Sequence, residues 1–156
     1  MAGRVLANYN DLESCLHHLR ELGGAVEAEV VRLKSGEELS SAVITQVCRN
    51  LHGVQMLSLF TSDGKNLWVN TDEIALIAEM RHKPLSQLDN TRYRMKKTEE
   101  KLQYVARLIE LNPQGLTRTV RREIRGILQD IGWESVFSMP DHPVIQQMAS
   151  HGLRIA

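Results

Sequence analysis

The apolar positions of this chain change their period twice along the sequence. Over residues 10–22 they recur at helical spacing until Gly23-Gly24, which predicts an N-terminal helix that ends at the two glycines. Over residues 26–77, short apolar runs alternate with turn sequences, which is typical of short antiparallel strands. After Arg81 the helical spacing returns. The predicted class is α+β: an N-terminal helix, a small antiparallel β-barrel and an α-helical C-terminal region.

Four or five strands are predicted in the central segment, joined by tight turns. Ser35-Gly36-Glu37 separates the first two strands, a polar break at residues 49–53 follows the second, and Asp63-Gly64 marks a hairpin. The apolar stretches between these turns are residues 26–33, 39–47, 54–60, 67–69 and 74–77. Such a run of short strands predicts a meander that closes into a small barrel or half-barrel.

Three helices are predicted in the C-terminal half. The first begins near Arg92 and ends at Asn112-Pro113, the second covers about residues 117–131, and a last short helix is capped by Asp141. Pro84 and the polar stretch at residues 86–91 have the composition of a linker. The predicted division is residues 1–82, the N-terminal helix with the barrel, and residues 83–156, a helical region for oligomerisation or partner binding.

Composition favours a soluble cytoplasmic protein. The 156 residues are 42% hydrophobic and 24% charged, and no apolar run reaches the roughly 18 residues of a membrane span. The first residues lack the apolar core of a secretory signal, and two cysteines with six methionines suit a reducing compartment. We therefore expect a cytoplasmic protein that does not act in a membrane.

A net charge of zero conceals two oppositely charged halves of the chain. Residues 1–80 carry six Lys and Arg against eleven Asp and Glu, a net charge of −5. Residues 81–156 carry thirteen against eight, a net charge of +5. Such asymmetry indicates either two different partners or attraction between the halves, and the attraction could act within one molecule or between copies in a homo-oligomer.

Catalytic motifs are absent from the sequence. There is no glycine-rich phosphate loop and no serine elbow, and the pairs Glu37-Glu38 and Glu99-Glu100 fall in a turn and on a polar helix face. Acid–base catalysis by two carboxylates needs a dry pocket, which neither position offers. We therefore expect a protein that binds its target without catalysing a reaction and without a cofactor.

Two cysteines and two histidines form a candidate metal set. Cys15 and His18 lie one helical turn apart, and Cys48 and His52 lie at the break after the second strand. Together they match the ligands of a tetrahedral structural zinc. The 29 residues between His18 and Cys48 exceed the usual finger spacing, and Cys15 falls on the apolar face of its helix. Burial of Cys15 in the core without metal is therefore the favoured interpretation.

The C-terminal half also carries a ridge of arginines. Arg118, Arg121, Arg122 and Arg125 recur at spacings of three and four on the second predicted helix there, and a second basic cluster lies within residues 92–101. The fork of donors on arginine suits phosphate, so the ridge is a candidate surface for RNA or DNA. The alternatives are a solvated helix face or a surface that docks on the acidic half.

The β-segment resembles the Sm-like barrel, in which an N-terminal helix caps a strongly bent five-stranded sheet. Residues 30–39 read Val-Val-Arg-Leu-Lys-Ser-Gly-Glu-Glu-Leu, and residues 67–77 read Leu-Trp-Val-Asn-Thr-Asp-Glu-Ile-Ala-Leu-Ile. Within that class, residues 9–80 are similar to the Rof family, which inhibits the Rho transcription terminator. The likeness rests on Tyr9, Leu12-Glu13 and Cys15, and on the Leu-Lys-x-Gly-Glu-x-Leu pattern of residues 33–39.

This resemblance implies an acidic surface that imitates nucleic acid and occupies an RNA-binding protein. The candidate partner-binding residues are Asp11, Glu13, Glu37, Glu38, Asp72 and Glu73. Without the resemblance, the same side chains are ordinary helix-cap and turn residues. They are six of the eleven acidic residues in residues 1–80, which fits the net charge of −5 there, and that charge would repel phosphate.

The leading hypothesis is a non-enzymatic regulatory or adaptor protein. Its acidic Sm-like barrel would bind a protein partner of the transcription or RNA machinery. One alternative is a nucleic-acid-binding protein that uses the basic C-terminal helices. Another is a structural protein that assembles with copies of itself through its oppositely charged halves.

Overall fold

The computed structural model describes residues 23–137 and 141–153. The chain divides into two compact units, Met1–Arg94 and Met95–Ala156. The helix predicted over residues 10–22 lies outside the described residues.

The first unit is built on a five-stranded antiparallel sheet, as the sequence pattern predicted. Its strands are β1 (Ala25–Leu33), β2 (Glu38–Arg49), β3 (Gln55–Phe60), β4 (Asn66–Asn70) and β5 (Ile74–Lys83), in the order β4-β3-β2-β1-β5. β1 is an interior strand that pairs with β2 on one side and with β5 on the other. Within the described residues no ladder joins β4 to β5, so the sheet is open and the expected closed barrel is not observed.

The turns between strands follow the predicted chemistry. The Gly36 N–H donates to the Leu33 carbonyl at 2.9 Å, and the Gly64 N–H donates to the Thr61 carbonyl at 3.0 Å. Both glycines adopt left-handed φ angles, 93° and 89°, which a residue with a side chain adopts only with strain. A short 3₁₀ turn at Thr71–Glu73 leads into β5, which continues to Lys83, well beyond its predicted end.

One face of the sheet buries the main apolar core of this unit. Val26 and Val31 of β1 are fully buried there, and the partly buried Ile77 and Met80 of β5 pack against the same cluster. Its buried members are Val26, Ala28, Val31, Leu39, Ala42, Ile44, Leu57 and Leu59. These are the apolar positions from which the strands were predicted, so hydrophobic patterning accounts for this face.

The two strands beside β1 kink at positions that lie opposite each other across Glu29. Ser41 in β2 and Glu79 in β5 adopt left-handed φ angles of 49° and 51°, and they flank Glu29 in β1. That conformation costs about 1–2 kcal/mol for a residue with a side chain. Along β1 the positions that enter this core change from even to odd numbers across Glu29, from Val26 and Ala28 to Val31. The kinks therefore let both ends of a strand contribute to the same core.

The opposite face of the sheet is organised by the buried carboxylate of Glu27, which is 2% exposed. Its two oxygens accept the backbone N–H groups of Asp89 at 3.1 Å and Asn90 at 2.8 Å. The Lys83 ammonium donates to the same carboxylate at 2.8 Å and to the Asp89 carboxylate at 3.0 Å. Burial opposes the charge on Lys83, but the hydrogen bonds and charges of Glu27 and Asp89 outweigh it and raise the pKa of Lys83.

Asn90 connects this carboxylate to the start of a helix. Its side-chain amide donates to the carbonyls of Ser41 at 2.9 Å and Phe60 at 3.1 Å, and its side-chain oxygen accepts the N–H of Tyr93 at 3.0 Å. The last contact is a helix N-cap, and it starts helix α1 (Thr91–Glu110). The ring of Tyr93 packs edge-on against Phe60 with centroids 5.3 Å apart.

The polar residues 84–91 therefore do not form the expected linker. Leu85 and Leu88 are 2% and 1% exposed, and the backbone of Asp89 and Asn90 is bound to Glu27. The polar groups of this segment bind the sheet, and its two leucines are buried.

The second unit is helical, in agreement with the sequence pattern. After α1 the helices are α2 (Arg118–Ile131), α3 (Trp133–Phe137) and α4 (Pro143–Ser150). Thr117 caps α2, and His142 caps α4 in place of the expected Asp141, because its ring nitrogen accepts the Val144 N–H at 3.3 Å. The short α3 was not predicted. Among the described residues, no helix is long and apolar enough to cross a membrane.

Removal of the Glu27 charge tests the organisation of the covered face. We expect Glu27→Gln to lower the free energy of unfolding by about 3 kcal/mol, because Lys83 and two backbone N–H groups lose their anionic partner in a buried site. Urea denaturation measures this change. Glu79→Gln is the matched control: Glu79 pairs with Arg81 at 2.8 Å at an exposed position, and its loss should cost less than about 1 kcal/mol. Equal effects of the two variants would contradict the assignment.

Candidate functional site

Four of the predicted acidic residues meet at one end of the sheet. Glu37 and Glu38 lie where the first turn enters β2, and Asp72 and Glu73 lie in the 3₁₀ turn before β5. A backbone hydrogen bond of 2.8 Å from the Lys34 N–H to the Glu73 carbonyl joins the two turns. All four acidic side chains are exposed. We call these four residues the acidic end; Asp11 and Glu13, the other two candidates, lie outside the described residues.

The charge of the acidic end is only partly neutralised. Arg32 binds Glu38 at 2.7 Å, with both side chains half exposed, and Lys34 extends from the same turn. Glu37, Asp72 and Glu73 make no ion pair within the described residues. The local sum over the four acids and these two cations is −2, which leaves a surface suited to a basic partner.

The 3₁₀ turn holds its two acids in a fixed position. The Asn70 side chain accepts the Asp72 N–H at 2.9 Å, and the Thr71 hydroxyl donates to the Gln55 carbonyl at 3.3 Å. On the other turn, the Leu33 N–H donates to the Glu37 carbonyl at 2.9 Å. Hydrogen bonds to the backbone therefore position both acidic turns, although the carboxylates themselves remain in solvent.

The four arginines of the predicted ridge on α2 are of two kinds. Arg118, Arg122 and Arg125 are exposed and make no ion pair within the described residues. With Gln129 they recur at spacings of four, three and four, which places them in one line along the helix. We call these four residues the arginine stripe. They line an open depression of about 440 Å³ on the second unit.

Arg121 has a structural role. Its guanidinium donates to the Leu116 carbonyl at 3.3 Å and to the His151 carbonyl at 3.2 Å. The second contact links α2 to the residue that ends α4. The sequence predicted four equivalent arginines. In the structure three of them have free side chains, whereas Arg121 binds carbonyl groups of its own unit.

Glu123, which follows Arg122 in the sequence, is hydrogen-bonded to a residue of another helix. The Tyr104 hydroxyl of α1 donates to Glu123 at 2.8 Å, and this hydrogen bond raises the pKa of Tyr104. At about 100° of rotation per residue, Glu123 lies more than a quarter turn around the helix from the arginine stripe. The stripe therefore carries uncompensated positive charge along its length.

Two side chains of the upstream basic cluster bind groups on α1 or on the segment before it. In the upstream basic cluster, Lys97 binds Glu100 at 2.7 Å and Arg94 donates to the Leu88 carbonyl at 3.4 Å. Of the four candidate zinc ligands, Cys48 is partly buried and His52 is exposed in the following turn, whereas the other two, Cys15 and His18, lie outside the described residues. Within residues 23–137 and 141–153, no three His, Cys, Asp or Glu side chains are grouped to hold a metal ion.

Sequence reasoning missed a charged depression of about 300 Å³ along the kink of the sheet. It is lined by Glu27, Glu29, Ser41, Glu79, Arg81, Lys83 and Asp89. The available signal was the pair Glu27 and Glu29 in β1, since a charged residue buried in a sheet needs a partner. The partners of Glu27 are Lys83 of β5 and the backbone N–H groups of Asp89 and Asn90, which no local pattern identifies.

Comparisons with protein-family models, with curated proteins and with solved structures gave no match to this chain.

Alanine substitutions distinguish the two kinds of arginine. We expect Arg121→Ala to lower the free energy of unfolding by about 1.5–3 kcal/mol, because two carbonyl groups lose a charged donor. Arg122→Ala removes an exposed neighbour and should change the stability by no more than about 0.5 kcal/mol. Thermal or urea denaturation of the full chain checks both values. Equal stability of the two variants would show that the contacts of Arg121 do not stabilise the fold.

Proposed function

We propose that this protein is a non-enzymatic regulator or adaptor whose acidic end binds a basic surface of a protein partner. The partner class that we propose is a protein of the transcription or RNA machinery, because such proteins present basic surfaces to nucleic acid. An exposed cluster of carboxylates competes for that kind of surface by imitating phosphates. The proposal assigns the function to Glu37, Glu38, Asp72 and Glu73.

The observation that carries this proposal is the backbone hydrogen bond between the two acidic turns. The 2.8 Å bond from Lys34 to Glu73 brings together residues that lie about 35 positions apart in the sequence. Because both turns are also fixed by their own hydrogen bonds, little backbone order has to be gained on binding. Electrostatic attraction at such a surface mainly raises the association rate and selects among partners.

The proposal keeps the likeness to the Sm-like class, whose layout has a strongly bent five-stranded sheet. The first unit has five antiparallel strands, with left-handed backbone at Ser41 and Glu79 on either side of Glu29. The likeness to the Rof family remains part of the proposal, and it directs attention to partners that bind RNA.

The chemistry of the buried carboxylate supports a binding role. Glu27 is the one buried carboxylate among the described residues, and its oxygens are occupied by Lys83 and two backbone N–H groups. A carboxylate that acts as a general acid or base exchanges protons with a substrate, whereas the oxygens of Glu27 are engaged in structural contacts. The exposed acids of the acidic end have no dry pocket around them.

Charge removal at the acidic end tests the proposed function. The full chain is immobilised and incubated with native extract, and a second sample carries Glu37→Gln, Glu38→Gln, Asp72→Asn and Glu73→Gln. We expect the unmodified chain to retain one or more RNA-binding proteins and the variant to lose them. Retention should fall at high salt, because the contacts are exposed charges, and added RNA should displace the captured proteins.

The matched control changes the same number of charges at other exposed acids of the second unit. These substitutions are Glu100→Gln, Glu110→Gln, Glu134→Gln and Asp141→Asn. The control should retain the partner as the unmodified chain does. Equal retention by the acidic-end variant, or absence of any retained protein, would refute the proposal. Retention of further copies of this chain alone would favour the self-assembling alternative.

A further inference from the structure

The arginine stripe is the largest surface of free like charge on helix α2. Arg118, Arg122 and Arg125 are exposed without ion pairs, and Gln129 extends their line toward the end of the helix. On the opposite side, Ile124, Leu128 and Ile131 are buried, so the helix presents the stripe outward from its unit. Arginine and glutamine are also the side chains that bind guanine and adenine edges by paired hydrogen bonds.

The length of the stripe agrees with the dimensions of a B-form major groove. From Arg118 to Gln129 the helix rises about 16 Å, at 1.5 Å per residue. The major groove is about 12 Å wide and admits one α-helix. A helix that lies in the groove can therefore bring the three arginines of the stripe within reach of the phosphates that border it.

The charge distribution around the helix suits a polyanion. Glu123 is hydrogen-bonded to Tyr104 and lies more than a quarter turn from the stripe. Arg121 is held by the Leu116 and His151 carbonyls, so its bound guanidinium lies beside the stripe as fixed positive charge. No carboxylate of α2 lies on the line of the three free arginines.

Other nucleic acids fit this surface less well. Single strands are usually held by stacking on aromatic rings, and no aromatic residue is present in α2. Duplex RNA has a deep and narrow major groove that side chains do not read. These features favour duplex DNA over both forms of RNA.

We propose that α2 binds duplex DNA through its major groove, with Arg118, Arg122 and Arg125 on the phosphate backbone. Three such contacts give a slope of about −2.7 for the logarithm of the binding constant against the logarithm of salt concentration. The affinity then falls about 40-fold between 50 and 200 mM salt. Backbone contacts dominate this interaction, so binding is only weakly dependent on sequence. This site is separate from the acidic end and does not rest on the proposed protein partner.

The test measures binding of the full chain to a mixed-sequence DNA duplex by fluorescence anisotropy at several salt concentrations. The variant Arg118→Gln, Arg122→Gln and Arg125→Gln should lose at least about tenfold in affinity at low salt and most of its salt dependence. A second variant with lysine at the same three positions should keep the salt dependence, because the charges remain. Circular dichroism checks that both variants keep their helices.

The matched control removes three exposed cations elsewhere, with Arg49→Gln, Lys65→Gln and Arg107→Gln. It should bind the duplex nearly as tightly as the unmodified chain. Two results would overturn the proposal: unchanged binding by the arginine-stripe variant, or binding of single-stranded or duplex RNA as tightly as DNA. The acidic-end variant should hold DNA at least as tightly as the unmodified chain, so failure of one proposal leaves the other testable.

Discussion

The buried Glu27 carboxylate is the interaction on which the described part of the first unit depends. An interior strand of a sheet normally buries only apolar side chains. A buried carboxylate is tolerated there when each of its oxygens has a hydrogen-bond or ionic partner. Glu27 receives Lys83 from the end of β5 and the backbone N–H groups of Asp89 and Asn90. Asn90 in turn binds two strand carbonyls and caps α1. One carboxylate thus fixes a strand end, a connecting segment and a helix start.

The two faces of the sheet are therefore stabilised by different physical means. One face buries an apolar core, and the kinks at Ser41 and Glu79 lie where the core positions of β1 change from Val26 and Ala28 to Val31. On the other face, the charged network of Glu27 fixes Lys83, Asp89 and Asn90 with defined hydrogen-bond geometry. The ends of the strands and the turns between them present charge to solvent. The acidic end is one such place.

Local pattern predicted the strands, the two glycine turns and the main helices, because period and turn chemistry are encoded within a few residues. It did not predict the role of Glu27, since Asn90 lies 63 positions away in the sequence. It read residues 84–91 as a linker for the same reason. Spacing also identified the arginine ridge on α2. However, only the structure distinguishes Arg121, which binds two carbonyls, from its free neighbours.

Amide hydrogen exchange at Asp89 and Asn90 tests the central claim most directly. If their N–H groups are bound by the buried carboxylate, they should exchange as slowly as the amides of the interior strand β1, because exchange then requires global unfolding. A segment that merely links two regions would exchange as fast as the exposed turn residue Leu51. Slow exchange is the result we predict, and fast exchange at both positions would contradict the account.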